Sequence, residues 1–329
     1  MNPRPESLGS SGARRAVMPL TRGDSVAFLD LDAAAVLAAT PTRPHPQDVV
    51  ISHDQTQVFV LEMGADGATG SLAVVSLARM EVVRRIELAP FRQPHWAVLS
   101  RDGRLLWVAC GSDQAILEVD LIDDQVRHAW RVPDAGPWMF AVTPDEQTLV
   151  VAGFDSGTAS VINLATGERR GLTLSGNPVA IAAAPEGGQV WIGAVGTDRI
   201  WVIDAASATV TAEFESAATG PVRMAFTPDG KQVVVTNGRG NAVTVYDAHT
   251  RALQLSVPTG EGSYPKGLAL NAEGAVAYVS LMGAGRLLML DVDSGEVLGE
   301  MPVGPSPERV ALFASAHRGA GAGATESAL

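Results

Sequence analysis

PVRMAFTPDGKQVVVTNGRGNAVTVYDA, residues 221–248, reads as three short strands divided by two turns. Residues 222–226 are mostly apolar. Thr227-Pro228-Asp229-Gly230 then supplies a tight turn: Asp bonds nearby backbone and Gly takes the positive φ. Residues 233–235 are a valine run, 237–241 a Gly/Asn loop, and the third strand ends in the corner VTVYD at 243–247. Short β-branched runs between Pro, Gly and Asp signals are strand signatures. No window of the chain holds a capped 3.6-residue apolar period, so almost no helix is expected.

The pattern repeats. PHWAVLSRDGRLLWVACGSDQAILEVDL starts at Pro94, PWMFAVTPDEQTLVVAGFDSGTASVINL at Pro137 and PKGLALNAEGAVAYVSLMGAGRLLMLDV at Pro265. With Pro46, Pro178, Pro221 and a truncated copy at Pro307, the intervals are 48, 43, 41, 43, 44 and 42 residues. Each unit reads as four strands, the fourth leading to the next proline, and such a period marks a β-repeat architecture. The third-strand corner gives a second series: Asp30, Ser76, Asp120, Asn163, Asp204, Asp247 and Asp291. It also counts seven, but it begins before the first repeat proline. The C-terminus therefore supplies a lone innermost strand at 307–314, and the N-terminus the missing three at 15–20, 25–30 and 34–40. A ring closed by both chain ends removes the free edges of an open array. The expectation is an all-β, seven-bladed propeller of four-stranded antiparallel blades over 15–314, with a flexible segment 1–14 and a disordered tail 315–329. Pro19 falls inside a closing strand, and its register stays open.

The repeats resemble the YVTN family of β-propellers, on TPDG at 227–230, VTVYD at 243–247 and SVINL at 160–164. The likeness spans 15–314, and it implies the fold while saying little about the reaction. Kelch diglycines and the WD40 Gly-His…Trp-Asp pattern are missing. A narrower likeness is to lactonase-type propellers, similar to 6-phosphogluconolactonase, on His45-Pro46 and Leu61-Glu62. It implies a lactonase-like hydrolase in which cationic residues hold a phosphate. That family's Pro-His-x-His segment is absent here, and Leu61 stands where it has Asn.

Composition narrows the partners. With 24 basic and 36 acidic residues the net charge is −12, and no basic stripe exists for nucleic-acid phosphates or an anionic membrane. A single cysteine, Cys110, excludes an internal disulfide and a multi-cysteine metal site. Neither an apolar core of signal-peptide length nor a window of ~18 apolar residues is found, so the expected location is cytoplasmic.

Residues that recur in every repeat are architecture. Asp54, Asp102, Asp145, Glu186, Asp229 and Glu273 share the first hairpin turn and are assigned to it, as the corner acids are to theirs. Function is sought where repeats disagree, at the proline end of the first strand and the loop after the second. One side of that face carries His45, His95, Trp96 and Trp138, the other Arg223, Arg239, Lys266 and Arg309, with Asp48, Met139, Val179 and Glu308 nearby. The loops add Glu62, Cys110, Asp113, Asp155, Asn237 and Arg239, with Arg22 and Asp24 from the closing blade.

These residues suggest a polar, anionic small molecule bound at the mouth of the axial channel. Trp96 and Trp138 would stack on it; Arg223, Arg239, Lys266 and Arg309 would clamp it, with Asn237 as a further contact. His45, His95 and Glu62 would exchange protons if a reaction occurs, and the same three are the candidate ligands for a divalent metal. No organic cofactor motif is present. Counting residues across the first hairpin pairs His95 with Cys110, a geometry for a thiolate nucleophile. The competing reading is a non-catalytic scaffold for a protein partner, which would call for an exposed apolar rim instead of a polar mouth.

Overall fold

The computed structural model describes residues 14–132 and 136–313; the expected flexible start and disordered tail lie almost entirely outside them. Twenty-eight strands, β1 to β28, form seven separate four-stranded antiparallel sheets. Six sheets are built from consecutive strands, beginning at β4 (Pro46–Ile51), β8 (Pro94–Leu99), β12 (Pro137–Val142), β16 (Pro178–Ala183), β20 (Pro221–Phe226) and β24 (Pro265–Leu270). The seventh joins the chain ends in the order β28-β1-β2-β3, with β28 at Ala311–Phe313, β1 at Arg15–Leu20, β2 at Ser25–Asp30 and β3 at Ala35–Pro41. Apart from two single 3₁₀ turns, at Thr21–Gly23 and Gly111–Asp113, the described chain is strand, turn and loop.

The closing strand is shorter than the sequence suggests. Regular pairing of β28 with β1 covers only Arg15, Ala16 and Val17, after which Pro307 bridges to Leu20. Pro19 continues β1 opposite Val26, and its carbonyl accepts a hydrogen bond from the Glu308 amide at 3.0 Å. The regular ladder with β28 thus ends upstream of the residue that has no N–H to give. Gly267 makes closure possible on the other side: a Cβ there would lie 2.1 Å from the Glu308 carbonyl oxygen.

The core is a set of apolar layers, mainly between neighbouring blades. One layer packs Leu61, Leu72 and Val74 against Leu106, Val108 and Leu117; another packs Met18 and Leu29 of the closing blade against Leu287 and Met301. Burying side chains of this size contributes about 1.5–3 kcal/mol each. All seven corner residues accept hydrogen bonds from backbone amides two or three positions on; Asp30, Asp120, Asn163 and Asp247 each take two. In the first hairpins, Asp54, Asp102, Asp145 and Asp229 each bond a side-chain hydroxyl two residues back and an amide two residues on. These bonds hold the carboxyls below the usual range, to about 2 for Asp229.

Candidate functional site

The repeat proline pairs with the last residue of the second strand in six blades: Pro46 with Glu62, Pro94 with Cys110, Pro137 with Gly153, Pro178 with Ala194, Pro221 with Asn237 and Pro265 with Leu281. Directly after it the register slips, so the next residue is a bulge without an opposite number; in the Pro265 blade pairing resumes only at Leu268, leaving Lys266 and Gly267 outside the ladder. A bulge re-aims its side chain, and here it does so on every innermost strand but the closing one. Gln47, His95, Trp138, Val179, Val222 and Lys266, joined by Glu308 after Pro307, line one cavity of about 460 Å³ to which all seven blades contribute. Met63, Met139, Phe154, Val195, Arg223 and Tyr264 complete its lining.

The cavity has two unlike walls. On one, His95 stacks on Trp138 with ring centroids 4.9 Å apart and planes 12° from parallel, and Trp138 stacks on Phe154 at 4.5 Å and 14°. Val179, Val195 and Val222 extend this apolar side. The other carries Lys266, whose ammonium lies 2.7 Å from the buried Glu308 carboxylate. Tyr264 lies directly over Gly238, where a Cβ would come within 2.8 Å of its ring.

Below this ring lies a layer formed by the second residue after the proline. Trp96 donates its indole N–H to the Phe140 carbonyl at 2.9 Å, and the guanidinium carbons of Arg309 and Arg223 lie 4.1 and 4.3 Å from its ring centroid. Arg309 pairs with Asp48 at 3.1 Å and also donates to the Ala97 carbonyl. The Asp48 carboxylate accepts from Val49 N, Ala97 N and Arg309, donors that suit its ionised form while burial pushes its pKa up.

Arg223 is the exception. It is 8% exposed, contacts the Met139 sulfur at 2.8 Å through Nη1, and has no hydrogen-bond partner at Nε. Asp48 and Glu308 act on its charge through space, but each is held by another cation. Burial pulls its pKa down from the usual guanidinium value. An incompletely compensated buried cation is costly to keep, by several kcal/mol.

The predicted residues divide accordingly. His95, Trp138, Arg223 and Lys266 line the cavity, while Trp96 and Arg309 form the layer beneath. His45 lines a separate hollow of about 140 Å³ beyond Met63. Glu62 is fully buried and held by Ser71 at 2.7 Å, Arg85 at 3.1 Å and the Arg43 amide at 2.8 Å. Asn237 is fully buried between Ser216, Thr244 and backbone carbonyls. Arg239 pairs with Asp198 at the surface, 3.3 Å away.

His45, His95 and Glu62 are therefore not a metal-ligand set, and no group of three metal-binding side chains occurs among the described residues. The expected pairing of His95 with Cys110 is replaced by Pro94 with Cys110, because His95 is the bulge. Its ring lies against Gly111. Cys110 is fully buried, and burial with the charge of Asp113 pushes its thiol well above the usual value, so it is no thiolate nucleophile. Burial, with the charges of Lys266 and Arg223, lowers His95 to about 4, so near pH 7 its ring is neutral.

Gln47, Met63, Phe154, Val195, Val222 and Tyr264 were not anticipated. Gln47 and Val222 were recoverable from the post-proline position alone; Met63, Phe154 and Val195 each directly follow a second strand, and Tyr264 directly precedes a repeat proline.

No family model matches the chain, and no curated protein sequence matches it. Solved structures do. A protein from Lactobacillus plantarum superposes with a TM-score of 0.74 at 16% identity, covering 91% of this chain and 99% of that one. A functionally unknown protein from Desulfotomaculum acetoxidans gives 0.73 at 13%, covering 92% and 99%. The dihydro-heme d1 dehydrogenase NirN, in complex with DHE, gives 0.68 at 16%, covering 94% and 77%. The likeness is one of fold. No helix among the described residues is long and apolar enough to cross a membrane.

Proposed function

We propose that this propeller binds an amphipathic anionic small molecule in the mouth of its axial channel. Arg223 carries the reading: a buried guanidinium with an unpartnered N–H borders a cavity whose other wall is aromatic and aliphatic. An anion would supply the missing charge, and the apolar wall would take the body of the ligand. The DHE complex of NirN is a precedent for ligand binding in this fold. The repeat motifs favour a YVTN-type chain. A lactonase-like hydrolase draws no support, because His45 and Glu62 do not line the cavity with His95. Nor does one apolar docking rim: exposed Val36, Val83, Val210, Leu253 and Val297 sit on the outermost strands of five different blades.

The test is titration with the amphipathic anion 1-anilinonaphthalene-8-sulfonate, followed by fluorescence at constant melting temperature. The wild type is expected to bind at one site. Val222→Trp, which fills the cavity, should abolish binding, and Arg239→Ala, outside it, should leave binding unchanged. Undiminished binding by a folded Val222→Trp protein would overturn the assignment.

A further inference from the structure

We infer that the mouth selects monoanionic carboxylates with a flat conjugated body, and that Glu308 is the specificity-determining residue that sets the limit at one charge. The inference rests on the anion-binding reading above and adds the ligand's charge and shape.

The charge follows from counting the groups at the site. Arg223, Lys266 and Arg309 are cations; Asp48 and Glu308 are anions, each within 3.1 Å of one of them. His95, lowered to about 4, adds nothing near pH 7. Three positive charges against two negative leave one in excess, and it resides on Arg223. A single carboxylate cancels it. A second negative charge on the same ligand would meet no free cation and would lie in a crowded mouth beside the buried Glu308 carboxylate. Like charges brought together in such surroundings cost enough to exclude a ligand.

Glu308 is held where it must act. Its amide donates to the Pro19 carbonyl, and its own carbonyl occupies the space that Gly267 leaves by lacking a Cβ. The carboxylate is therefore anchored by ring closure itself.

Shape follows from the aromatic wall. His95, Trp138 and Phe154 form a nearly parallel ladder, with successive planes 12° and 14° apart. Trp138 remains 38% exposed at the mouth, unusual for so large an apolar ring. Val179, Val195 and Val222 add apolar lining. Offset stacking rewards a planar π-system over a puckered saturated body of equal area.

The experiment is isothermal titration calorimetry at pH 7.5 with four probes: 2-naphthoate, its saturated analogue decahydro-2-naphthoate, 2,6-naphthalenedicarboxylate and 2-naphthyl phosphate. The wild type should bind 2-naphthoate about tenfold or more tightly than either dianion, and several-fold more tightly than the saturated acid. Glu308→Gln leaves Lys266 uncompensated and should shift the preference at least about tenfold toward the dianions. Lys266→Met with Glu308→Gln restores an excess of one charge and should restore the monoanion preference; it also keeps the test decisive if the single variant folds poorly. Equal affinity of the wild type for mono- and dianions, a ratio unmoved by Glu308→Gln, or equal binding of the saturated acid would overturn this inference while leaving an anion site intact. Failure of the wild type to bind any of the four, together with no binding of 1-anilinonaphthalene-8-sulfonate, would overturn the anion site itself.

Discussion

The two ends of each blade repeat the same backbone and use it in opposite ways. At the first-hairpin turns, Asp54, Asp102, Asp145 and Asp229 spend their carboxylates on their own loops, in nearly the same geometry each time. At the proline end a register break recurs in six blades, yet the residue it presents is Gln, His, Trp, Val, Val or Lys. Where side chains satisfy the fold they are alike; where the fold already satisfies its backbone, they are free to differ. Repeated geometry with unrepeated chemistry marks the working end.

Breaking the ring should have the largest effect. Deleting residues 1–40 removes β1, β2 and most of β3, strips β28 of its partner and uncovers the buried Leu287 and Met301 on one side and Val49 and Val58 on the other. Aggregation or loss of a cooperative melt is expected by scanning calorimetry, and a melt like that of the full chain would contradict closure by the N-terminal strands.

The turn end should respond more gently and to acid. Asp229→Ala should lower the melting temperature by about 1–3 °C and leave ligand affinity unchanged. The depressed carboxyls give the pH window. Their folded pKa values lie below the unfolded value near 4, so they stabilise the fold above that pH, and the contribution fades as pH falls toward about 2, where Asp120 and Asp229 titrate. Melting temperatures recorded between pH 5 and 2 should fall across that interval, and less steeply in a variant lacking these aspartates. A flat profile down to pH 2 would remove the assigned role of the turn and corner acids.

The blades were legible because strand runs, turn residues and corner acids recur at a fixed period. Even closure was readable, from two seven-member series set out of step. Side-chain direction at the mouth was not. The second strands β5 (Gln57–Glu62) and β21 (Gln232–Asn237) are buried on both faces along almost their whole length, so no alternation of apolar and polar residues tells which way Glu62 or Asn237 points. Both point into protein. Nor does a bulge leave a compositional mark, which is why simple hairpin counting put His95 opposite Cys110, one residue out of register. Lys266 was found because it breaks the repeat directly after the proline, where side chains face the cavity, and Arg223 because it breaks it one residue further on, at a buried, paired position. Tyr264 and Phe154 belong to loops whose placement depends on packing against Gly238 and Trp138.

On this reading Arg223 is kept for a ligand at the expense of the fold. Its replacement by methionine, which keeps much of the side-chain volume and removes the uncompensated charge, tests this in one protein by parallel chemical denaturation and 1-anilinonaphthalene-8-sulfonate titration. Arg223→Met should be as stable as the wild type or more so, since replacing buried charge by well-packed apolar groups is often neutral or stabilising by about 1–4 kcal/mol. Binding should be lost in the same protein. A variant that is clearly destabilised yet still binds the probe at full affinity would show that Arg223 serves the structure, and the mouth would lose its claim to be the site.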